Sequence, residues 1–416
     1  MPMHRLFALF SRPAPALLAL LAIAQTIFSW RLTTPHTLVF DEVHYVPAAR
    51  TLLALSGPVN IEHPLLGKAL IAAGIALFGD NPLGWRALST LAGTAIVGGV
   101  FAITWLMTLR TRAAAMAAVL TIVNFLVLVQ ARIAMLDGFM AAFVVLAVAA
   151  MGWAMRGSVA QSRWRWTLGA VLLGLAVGVK WAAVPYLGYA AIGFVMLKHG
   201  DPSRWPGLCW WSAWALLGVG AGLAYAVTFA PAFFYISEPM TLARLLPFQL
   251  EMYARQTQIL PPHAYQSTWW SWPVIGRPIW YFYEVADGAQ RGIFLLGNPA
   301  VMWGGLVAVA ACALGWLRGR EVRLGVAAAL WIGGFAVWAI IPKSLGFYYY
   351  YFLPAIWLSV VLAVAIDRWR AVLRDWDEAY LVAAICLFVY FYPILTAGAL
   401  AGPRSFLRWA WFADWR

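Results

Sequence analysis

The sequence predicts an all-α membrane protein that crosses the bilayer many times. Of its 416 residues, 63% are hydrophobic and 11% are charged, whereas soluble domains contain about 25% charged residues. The mean hydropathy is +0.78, and long apolar runs recur along the chain. Because only helices and closed barrels pair all their backbone groups inside a bilayer, runs of this length indicate a polytopic helical protein.

About 11 apolar runs approach the roughly 20 residues that a helix needs to cross the hydrocarbon core. The stretch 68–78 is apolar but short, so we predict that it is re-entrant or packs against the bundle. The first run follows Arg5 and Arg12 without a clear small-residue cleavage site, which predicts a retained span. The predicted spans are residues 14–30, 83–109, 113–130, 136–155, 166–179, 181–197, 207–229, 293–317, 324–341, 347–366 and 379–400.

The positions of Lys and Arg predict the orientation of the chain. With a cytoplasmic N-terminus, every inner segment carries two or three basic residues and each short outer turn carries one. The positive-inside rule describes this asymmetry, so we expect the N-terminus inside and the C-terminus outside, in the inner membrane of a bacterium. The inner residues are Arg5, Arg12, Arg110, Arg112, Arg156, Arg163, Arg165, Lys198, Arg204, Arg318, Arg320, Arg323, Arg368, Arg370 and Arg374; the outer ones are Arg132, Lys180 and Lys343.

The net charge of +13 does not indicate a nucleic-acid-binding protein. The basic residues are spread singly or in small groups between apolar runs and form no basic stripe. Cys209, Cys312 and Cys386 lie inside apolar runs, and their spacing predicts neither a metal site nor a disulfide framework. No cluster of residues requires a metal, and no cofactor is expected.

Two long outer segments, residues 31–82 and 230–292, carry most of the unusual polar residues. The others lie at span ends on the same side, and the inner segments have the composition of plain connectors. We therefore treat residues 1–416 as a single membrane domain whose chemistry takes place at the outer face.

The stretch FDEVHY places Asp41 and Glu42 at the outer end of the first span, with His44 and Tyr45 close behind. One interpretation is helix capping, because Asp is a good N-cap residue and its charge is favourable near the helix dipole. The other is a general base at the lipid–water boundary, where partial desolvation raises the pKa of a carboxyl group. The two are compatible, since a helix N-terminus also fixes a side chain in place.

The stretch NIEHPLLGKAL carries Glu62, His63 and Lys68 immediately before an apolar run. These residues either form a plain surface loop or place a lysine where it meets an anionic headgroup or phosphate.

The stretch ARIAMLDGF places Arg132 and Asp137 at the outer boundary between two spans. Charges in such surroundings are costly and functional by default. They form either a structural pair or a site in which Arg132 holds a lipid phosphate through two parallel hydrogen bonds. Lys180, in VGVKW, lies at another outer junction, where the simpler interpretation is a boundary lysine that extends to the surface.

The segment HAYQSTWWSWPVIGRPIWYFYE is dense in aromatic residues. An aromatic belt at the membrane interface is one explanation, but polar residues are interleaved with the rings, and Trp and Tyr faces also form platforms for sugars. The later run KSLGFYYYYFLPA repeats this pattern. The candidate residues of the first segment are His263, Ser267, Trp269 and Arg277.

Seven stretches in order resemble the protein O-mannosyltransferases, which use dolichyl- or polyprenyl-phosphate-mannose and have the GT-C fold. They are FDEVHY, HPLLGK, ARIAMLD, GVKW, HAYQSTWWSWPVIGRP, LGNPAVMW and FYYYYFLPA, and they run from about residue 38 to about residue 357. The resemblance implies an acidic pair in the first outer loop, here Asp41 and Glu42. It also implies an arginine that contacts the donor phosphate, here Arg132.

The chain departs from the family pattern at three places. Residues 230–292 are too short for the MIR domain of fungal and animal members, which implies a bacterial-type protein without that domain. Leu65 follows His63-Pro64 where a second proline is usual, and Ala264 stands where proline is common. These departures concern the choice of acceptor and leave the reaction class unchanged.

The expected reaction moves mannose from a polyprenyl-phosphate donor to a Ser or Thr hydroxyl of a secreted or membrane protein, with inversion. Asp41 is expected to deprotonate the hydroxyl, and Glu42 to position Asp41 or the acceptor. Arg132, supported by Lys180 or Lys68, is expected to neutralise the departing phosphate. Further expected substrate-binding residues are His44, Tyr45, His63, Asp137, His263, Ser267, Trp269 and Arg277.

Two other classes of protein share some of these features. A related GT-C transferase that modifies a lipid, such as an aminoarabinose transferase, would share the outer carboxylates and the arginine, but WWSWPVIGRP favours the mannosyltransferases. A transporter or flippase would require paired repeats and charges near the middle of the membrane, whereas here the charges collect at one face.

Overall fold

The structure, a computed structural model, describes residues 12–341 and 343–416, so Arg5 of the orientation argument lies outside the described residues. The described chain is predominantly helical. Its α-helices are α1 Pro13–Ser29, α2 Glu42–Leu53, α3 Leu66–Phe78, α4 Pro82–Thr108, α5 Thr111–Ile122, α6 Phe125–Ala131, α7 Leu136–Ala154, α8 Val159–Val179, α9 Val184–Gly200, α10 Trp210–Val227, α11 Leu242–Thr257, α12 Gly305–Gly319, α13 Val322–Ala336, α14 Phe352–Arg368, α15 Arg370–Leu373 and α16 Trp376–Leu395.

Eight helices within the described residues are long and apolar enough to cross a membrane. The pair α5 and α6, bent by 64°, could form a ninth span, while α1 and α3 are apolar but shorter. Every predicted run overlaps a helix of the structure. A multi-pass helical membrane protein is thus confirmed, and the total of about 11 spans stays a prediction.

Helix α8 begins seven residues before the predicted run 166–179, at Val159. Ser158 starts it with a capping box, in which the Ser158 hydroxyl accepts from the Gln161 amide N–H and the Gln161 side chain accepts from the Ser158 N–H. Arg163 and Arg165 therefore lie in the first turns of the helix and not in a loop. The charges of Arg163 and Arg165 suggested a loop, but the capping box at Ser158 starts the helix before them.

A β-hairpin lies at residues 279–295, where the sequence predicted an outer loop and the start of a span. Strands β1 Ile279–Ala286 and β2 Ala289–Leu295 are antiparallel. Asp287 and Gly288 connect them with φ values of 49° and 73°, and an Asp-Gly pair favours a tight hairpin turn because both central residues need positive φ. The sequence contained this turn signal, but the surrounding aromatic residues resembled an interfacial belt.

The described chain divides into two compact units, so the prediction of one domain stays a prediction. Among the described residues, the first unit comprises 12–40, 100–133, 259–341 and 343–416, and the second comprises 41–99 and 134–258. Each is described by itself.

In the first unit, α14 forms the core. Its residues Phe352 to Ile366 are all buried, and it packs against α5, α12 and α13. A helix that is apolar on every side is expected to be buried in this way.

Two asparagines stabilise the bend between α5 and α6 in the first unit. Asn124 accepts from the Leu126 amide N–H and donates to the Ala355 carbonyl at 3.2 Å. Asn298, from the stretch LGNPAVMW, donates to the carbonyls of Val123 (2.9 Å) and Ala384 (3.0 Å). A broken helix at membrane depth requires partners for its freed backbone groups, and these side chains supply them.

In the second unit, α3 packs against α7 and α8. Gly67 makes the approach possible, because a Cβ atom there would lie 2.6 Å from Leu136 Cδ2 and 3.1 Å from Val179 Cγ1. Leu136 begins α7 and Val179 ends α8. The glycine of HPLLGK therefore brings the short helix against the two helix ends that carry Asp137 and Lys180.

Candidate active site

Asp41 directly precedes α2 in the second unit. Its carbonyl accepts from the amide N–H groups of His44 (2.9 Å) and Tyr45 (3.0 Å), which starts the helix. Its side chain makes no capping hydrogen bond, and within the described residues it accepts none from any other group. Asp41 thus occupies the N-cap position, but side-chain capping does not occur, so the carboxylate is available for another role.

Glu42, the other member of the acidic pair, is fully buried. Its carboxylate accepts from Arg86 Nε and Nη2, both at 2.8 Å, and from the Ala134 amide N–H at 2.9 Å. A two-pronged arginine–carboxylate contact is geometrically specific. Glu42 thereby ties α2 to α4 and to the segment before α7.

Sequence reasoning missed Arg86 as the partner of Glu42. It lies inside the predicted span 83–109, in the stretch GWRAL, and its side chain is 1% exposed. An ionisable residue within a predicted span is functional by default, so the sequence contained a usable signal.

Asp137 and Lys180 form a second buried ion pair. Lys180 Nζ lies 2.9 Å from both carboxylate oxygens of Asp137, and the residues are 7% and 3% exposed. Asp137 lies in the first turn of α7, where its negative charge interacts favourably with the positive end of the helix dipole. Lys180 lies at the C-cap of α8, where its positive charge interacts favourably with the negative end. The alternative in which Lys180 extends to the surface is therefore wrong.

The electrostatic surroundings make Asp41 a stronger base than an exposed carboxylate. Burial raises the pKa of Asp41 from 3.8 to about 6; the positive charge of Lys180 opposes this rise, Asp137 adds to it, and His44 opposes it. His44 is exposed, one turn into the same helix. Asp41 is therefore ionised at neutral pH, yet retains an elevated affinity for a proton.

The loop that precedes α3 is held together by Lys68. Its ammonium group donates to the carbonyls of Val59 (3.2 Å), Asn60 (2.6 Å) and His63 (2.9 Å), and the residue is 1% exposed. These three bonds use all three ammonium hydrogens. Lys68 thus maintains the loop conformation, and its predicted contact with phosphate stays a prediction.

The remaining candidates in this loop form part of its packing. The ring of His63 lies 6.1 Å from that of Tyr45, which is buried. The buried oxygen Glu62 Oε2 has no hydrogen-bond partner in the described part of the chain. Tyr45 therefore packs within the protein, whereas Glu62 has an acceptor atom available.

Arg132 belongs to the first unit, where it contacts the end of α1. Its Nη1 atom donates to the carbonyls of Phe28 (2.9 Å) and Trp30 (2.6 Å), and Nη2 donates to that of Arg31 (3.2 Å). A cation at a helix C-terminus satisfies carbonyls that have no partner within the helix. The predicted contact with the donor phosphate stays a prediction beside this observed capping role.

The candidates of the second outer segment also lie in the first unit, where they order the segment itself. Arg277 donates to the Ala264 carbonyl at 2.6 Å, and His263 Nδ1 accepts from the Tyr265 amide N–H. Ser267 accepts from Trp272 Nε1, and the Trp269 ring lies 5.2 Å from that of Phe335. Their predicted roles in substrate binding stay predictions.

Among the described residues, no group of three or more His, Cys, Asp or Glu side chains could hold a metal ion. The carboxylate of Asp41 is a group that could accept a proton.

Two family models match the chain. The model described as dolichyl-phosphate-mannose-protein mannosyltransferase matches residues 78–233. The model of the C-terminal four-transmembrane region of protein O-mannosyltransferase matches residues 241–415. Between them they cover α4 to α16.

Curated relatives are similar along nearly the whole chain. The polyprenol-phosphate-mannose–protein mannosyltransferase of Mycolicibacterium smegmatis is 27% identical over 96% of this chain and 91% of its own length. The protein of the same name from Mycobacterium tuberculosis is 27% identical over 92% of this chain and 88% of its own length.

Solved structures show the same fold. The chain matches the Saccharomyces cerevisiae protein O-mannosyltransferase Pmt1-Pmt2 complex bound to the sugar donor with a TM-score of 0.83 and 13% identity, covering 96% of this chain and 92% of that one. It matches ArnT from Cupriavidus metallidurans with a TM-score of 0.62 and 18% identity, covering 95% and 67%. The aminoarabinose-transferase alternative is thus less well supported, and the fold is of the GT-C type. The chain belongs to the protein O-mannosyltransferase family.

Proposed function

We propose that this protein transfers mannose from a polyprenyl-phosphate-mannose donor to Ser or Thr hydroxyls of proteins at the outer face of the membrane. The observation that carries the proposal is the carboxylate of Asp41, which has no hydrogen-bond partner within the described residues and a pKa raised to about 6. The mycobacterial relatives bear the name of this activity. The family membership and the available base together support the reaction.

The acceptor hydroxyl is a poor nucleophile until a base removes its proton. In the proposed step, Asp41 takes that proton while the hydroxyl oxygen forms a bond to C1 of mannose. The bond between C1 and the phosphate oxygen breaks, and its electron pair leaves with the polyprenyl phosphate. Attack from the side opposite the phosphate inverts the configuration at C1.

The two buried ion pairs would hold this base in place. Glu42 is occupied by Arg86, and Asp137 by Lys180, so neither carboxylate is equivalent to Asp41. With Asp41 ionised, the cluster of Asp41, Asp137 and Lys180 has a net charge of −1, from two carboxylates and one ammonium. Burial, and not this charge, raises the pKa of Asp41. A net negative charge does not favour phosphate, so Arg132 is the preferred candidate for the donor phosphate.

The membrane is proposed to be the inner membrane of a bacterium, with the N-terminus cytoplasmic and Asp41 facing outward. Support comes from the alternation of basic residues and from the first unit. There, Arg110 and Arg323 both pair with Asp367, at 3.0 Å each. These residues belong to three different predicted inner segments, which therefore meet at one end of the unit.

The function can be tested with purified protein, a panel of polyprenyl-phosphate sugars and a peptide rich in Ser and Thr. We expect the peptide mass to increase by one hexose only with the mannose donor. Transfer of aminoarabinose to lipid A with no change in the peptide would contradict the proposal.

Replacing Asp41 by Asn should reduce the turnover number by about 10²–10⁴-fold, because Asn keeps the size of the side chain but cannot accept the proton. Folding should be retained, since the described Asp41 side chain makes no hydrogen bond. The measurement is the initial transfer rate, together with the thermal unfolding temperature in detergent.

Glu42→Gln is the comparison for Asp41→Asn. It leaves a buried guanidinium without its countercharge, which costs about 3–5 kcal/mol, so this variant should lose folded protein. Normal turnover by Asp41→Asn would contradict the assignment of the base.

The transfer rate should depend on pH through the ionisation of Asp41. Only the carboxylate form can accept a proton, so kcat/KM should rise about tenfold per pH unit below the pKa and level off above it. The pKa of about 6 places this transition near pH 6. A rising limb centred near pH 4, the ordinary range of an exposed carboxyl group, would show that Asp41 is not the titrating base.

The orientation can be tested with reporter fusions. A reporter after Arg320 or after Arg374 should be active on the cytoplasmic side, and one after Ser237 should be active outside. The physical reason is the excess of Lys and Arg in the predicted inner segments. The reverse pattern at these three sites would refute the orientation.

A further inference from the structure

A cavity of about 690 Å³ lies in the first unit, and none of the residues that line it is proposed for catalysis. It is lined by five arginines, three carboxylates and one alanine, and we call it the arginine cavity. Its residues are Arg110, Glu321, Arg323, Asp367, Arg368, Arg370, Ala371, Arg374 and Asp375. Five positive and three negative charges leave the cavity with a net charge of +2 (5 − 3 = 2).

Part of this charge is compensated by ion pairs. Asp367 accepts from Arg110 and Arg323, each at 3.0 Å. Glu321 accepts from Arg368 at 2.6 Å and from Arg323 at 3.3 Å. Two carboxylates and three arginines therefore form one connected network.

Arg370 and Arg374 are outside this network. Both are exposed, and neither forms an ion pair within 4.0 Å among the residues that the structure describes. Arg370 begins the short helix α15, and Arg374 follows its last residue, outside the helix. Arg374 also has a φ of 49°, which is uncommon for a residue other than glycine. The segment thus presents two exposed cations, four positions apart in sequence, that form no close ion pair among the described residues, although the charge of Arg370 acts on Asp377.

The position of the cavity indicates which anion would be present. Its lining residues lie at the end of α14, at the start of α13 and beside the start of α16, and all three belong to spans long enough to cross the membrane. Val372 is 78% exposed and lies midway between the two arginines in sequence, and Trp376 is 75% exposed and lies two positions after Arg374. Exposed apolar and Trp side chains next to basic residues are typical of the membrane interface.

We propose that the arginine cavity binds the phosphodiester headgroup of an anionic phospholipid, with Arg370 and Arg374 as its principal ligands. Guanidinium groups match phosphate oxygens with paired hydrogen bonds. Val372 and Trp376 then face the acyl region of the same leaflet. The bound lipid neutralises the net positive charge of the cavity. With the proposed orientation, this leaflet is the cytoplasmic one, whose surface is negatively charged.

The test measures lipid binding to the purified full-length protein by native mass spectrometry, with phosphatidylglycerol and phosphatidylcholine as probes. The unmodified protein should retain phosphatidylglycerol in preference to phosphatidylcholine, and retention should weaken as salt is added. The double variant Arg370→Gln/Arg374→Gln should bind phosphatidylglycerol roughly 30-fold more weakly, since each arginine near an anionic surface contributes about a fivefold factor.

Arg318→Gln is the matched control, because Arg318 is exposed on the last turn of α12, has no described ion pair and does not line the cavity. It should retain binding. The variant Arg370→Lys/Arg374→Lys keeps both charges and should recover most of the affinity.

Equal retention of the two lipids by the unmodified protein would overturn the proposal, and so would equal loss in the double variant and the control. Displacement of phosphatidylglycerol by inorganic phosphate at the same concentration would show that free phosphate is the ligand, and would overturn the assignment to a lipid. These measurements do not depend on transfer activity, so failure of the mannosyltransferase proposal would leave them interpretable.

Discussion

The pairing of buried charge is the constraint on which the arrangement of the second unit depends. Charged groups withdrawn from water are tolerated only with a close partner and satisfied hydrogen bonds. Glu42 has Arg86 and an amide N–H, and Asp137 has Lys180. Each pair joins different helices, so electrostatic compensation also fixes the positions of helix ends. Asp41 is half-buried without such a partner in the described chain. Burial disfavours its charged form, and the pKa of Asp41 is therefore raised.

The same constraint acts on the backbone of the first unit. Carbonyl and N–H groups at breaks in helices need hydrogen-bond partners from the protein, because the bilayer core supplies none. Asn124 and Asn298 supply partners at the bend between α5 and α6, and Arg132 supplies them at the end of α1. Several residues that stand out in the sequence therefore have an observed structural function. A catalytic role for Arg132 must be compatible with its contacts to these carbonyls.

Much of the fold follows from the sequence because the membrane limits the alternatives. Each apolar run of sufficient length overlaps a helix, and the Asp-Gly turn of the hairpin was visible, although the aromatic residues around it favoured an interfacial interpretation. The early start of α8 at Val159 was hidden by Arg163 and Arg165, since charge suggested a loop where a capping box begins a helix. These differences arise at boundaries, where local hydrogen bonds and not hydropathy decide the backbone conformation.

The sequence by itself determined that the chain is a multi-pass helical membrane protein and that Asp41 and Glu42 form a chemically unusual pair. It also determined the family, because seven short stretches occur in a fixed order. Only the tertiary structure decided which carboxylate is available, since Glu42 and Arg86 are 44 positions apart and Lys180 and Asp137 are 43 apart. Ion pairs over such separations depend on how helices pack, and no local pattern in the sequence encodes that packing.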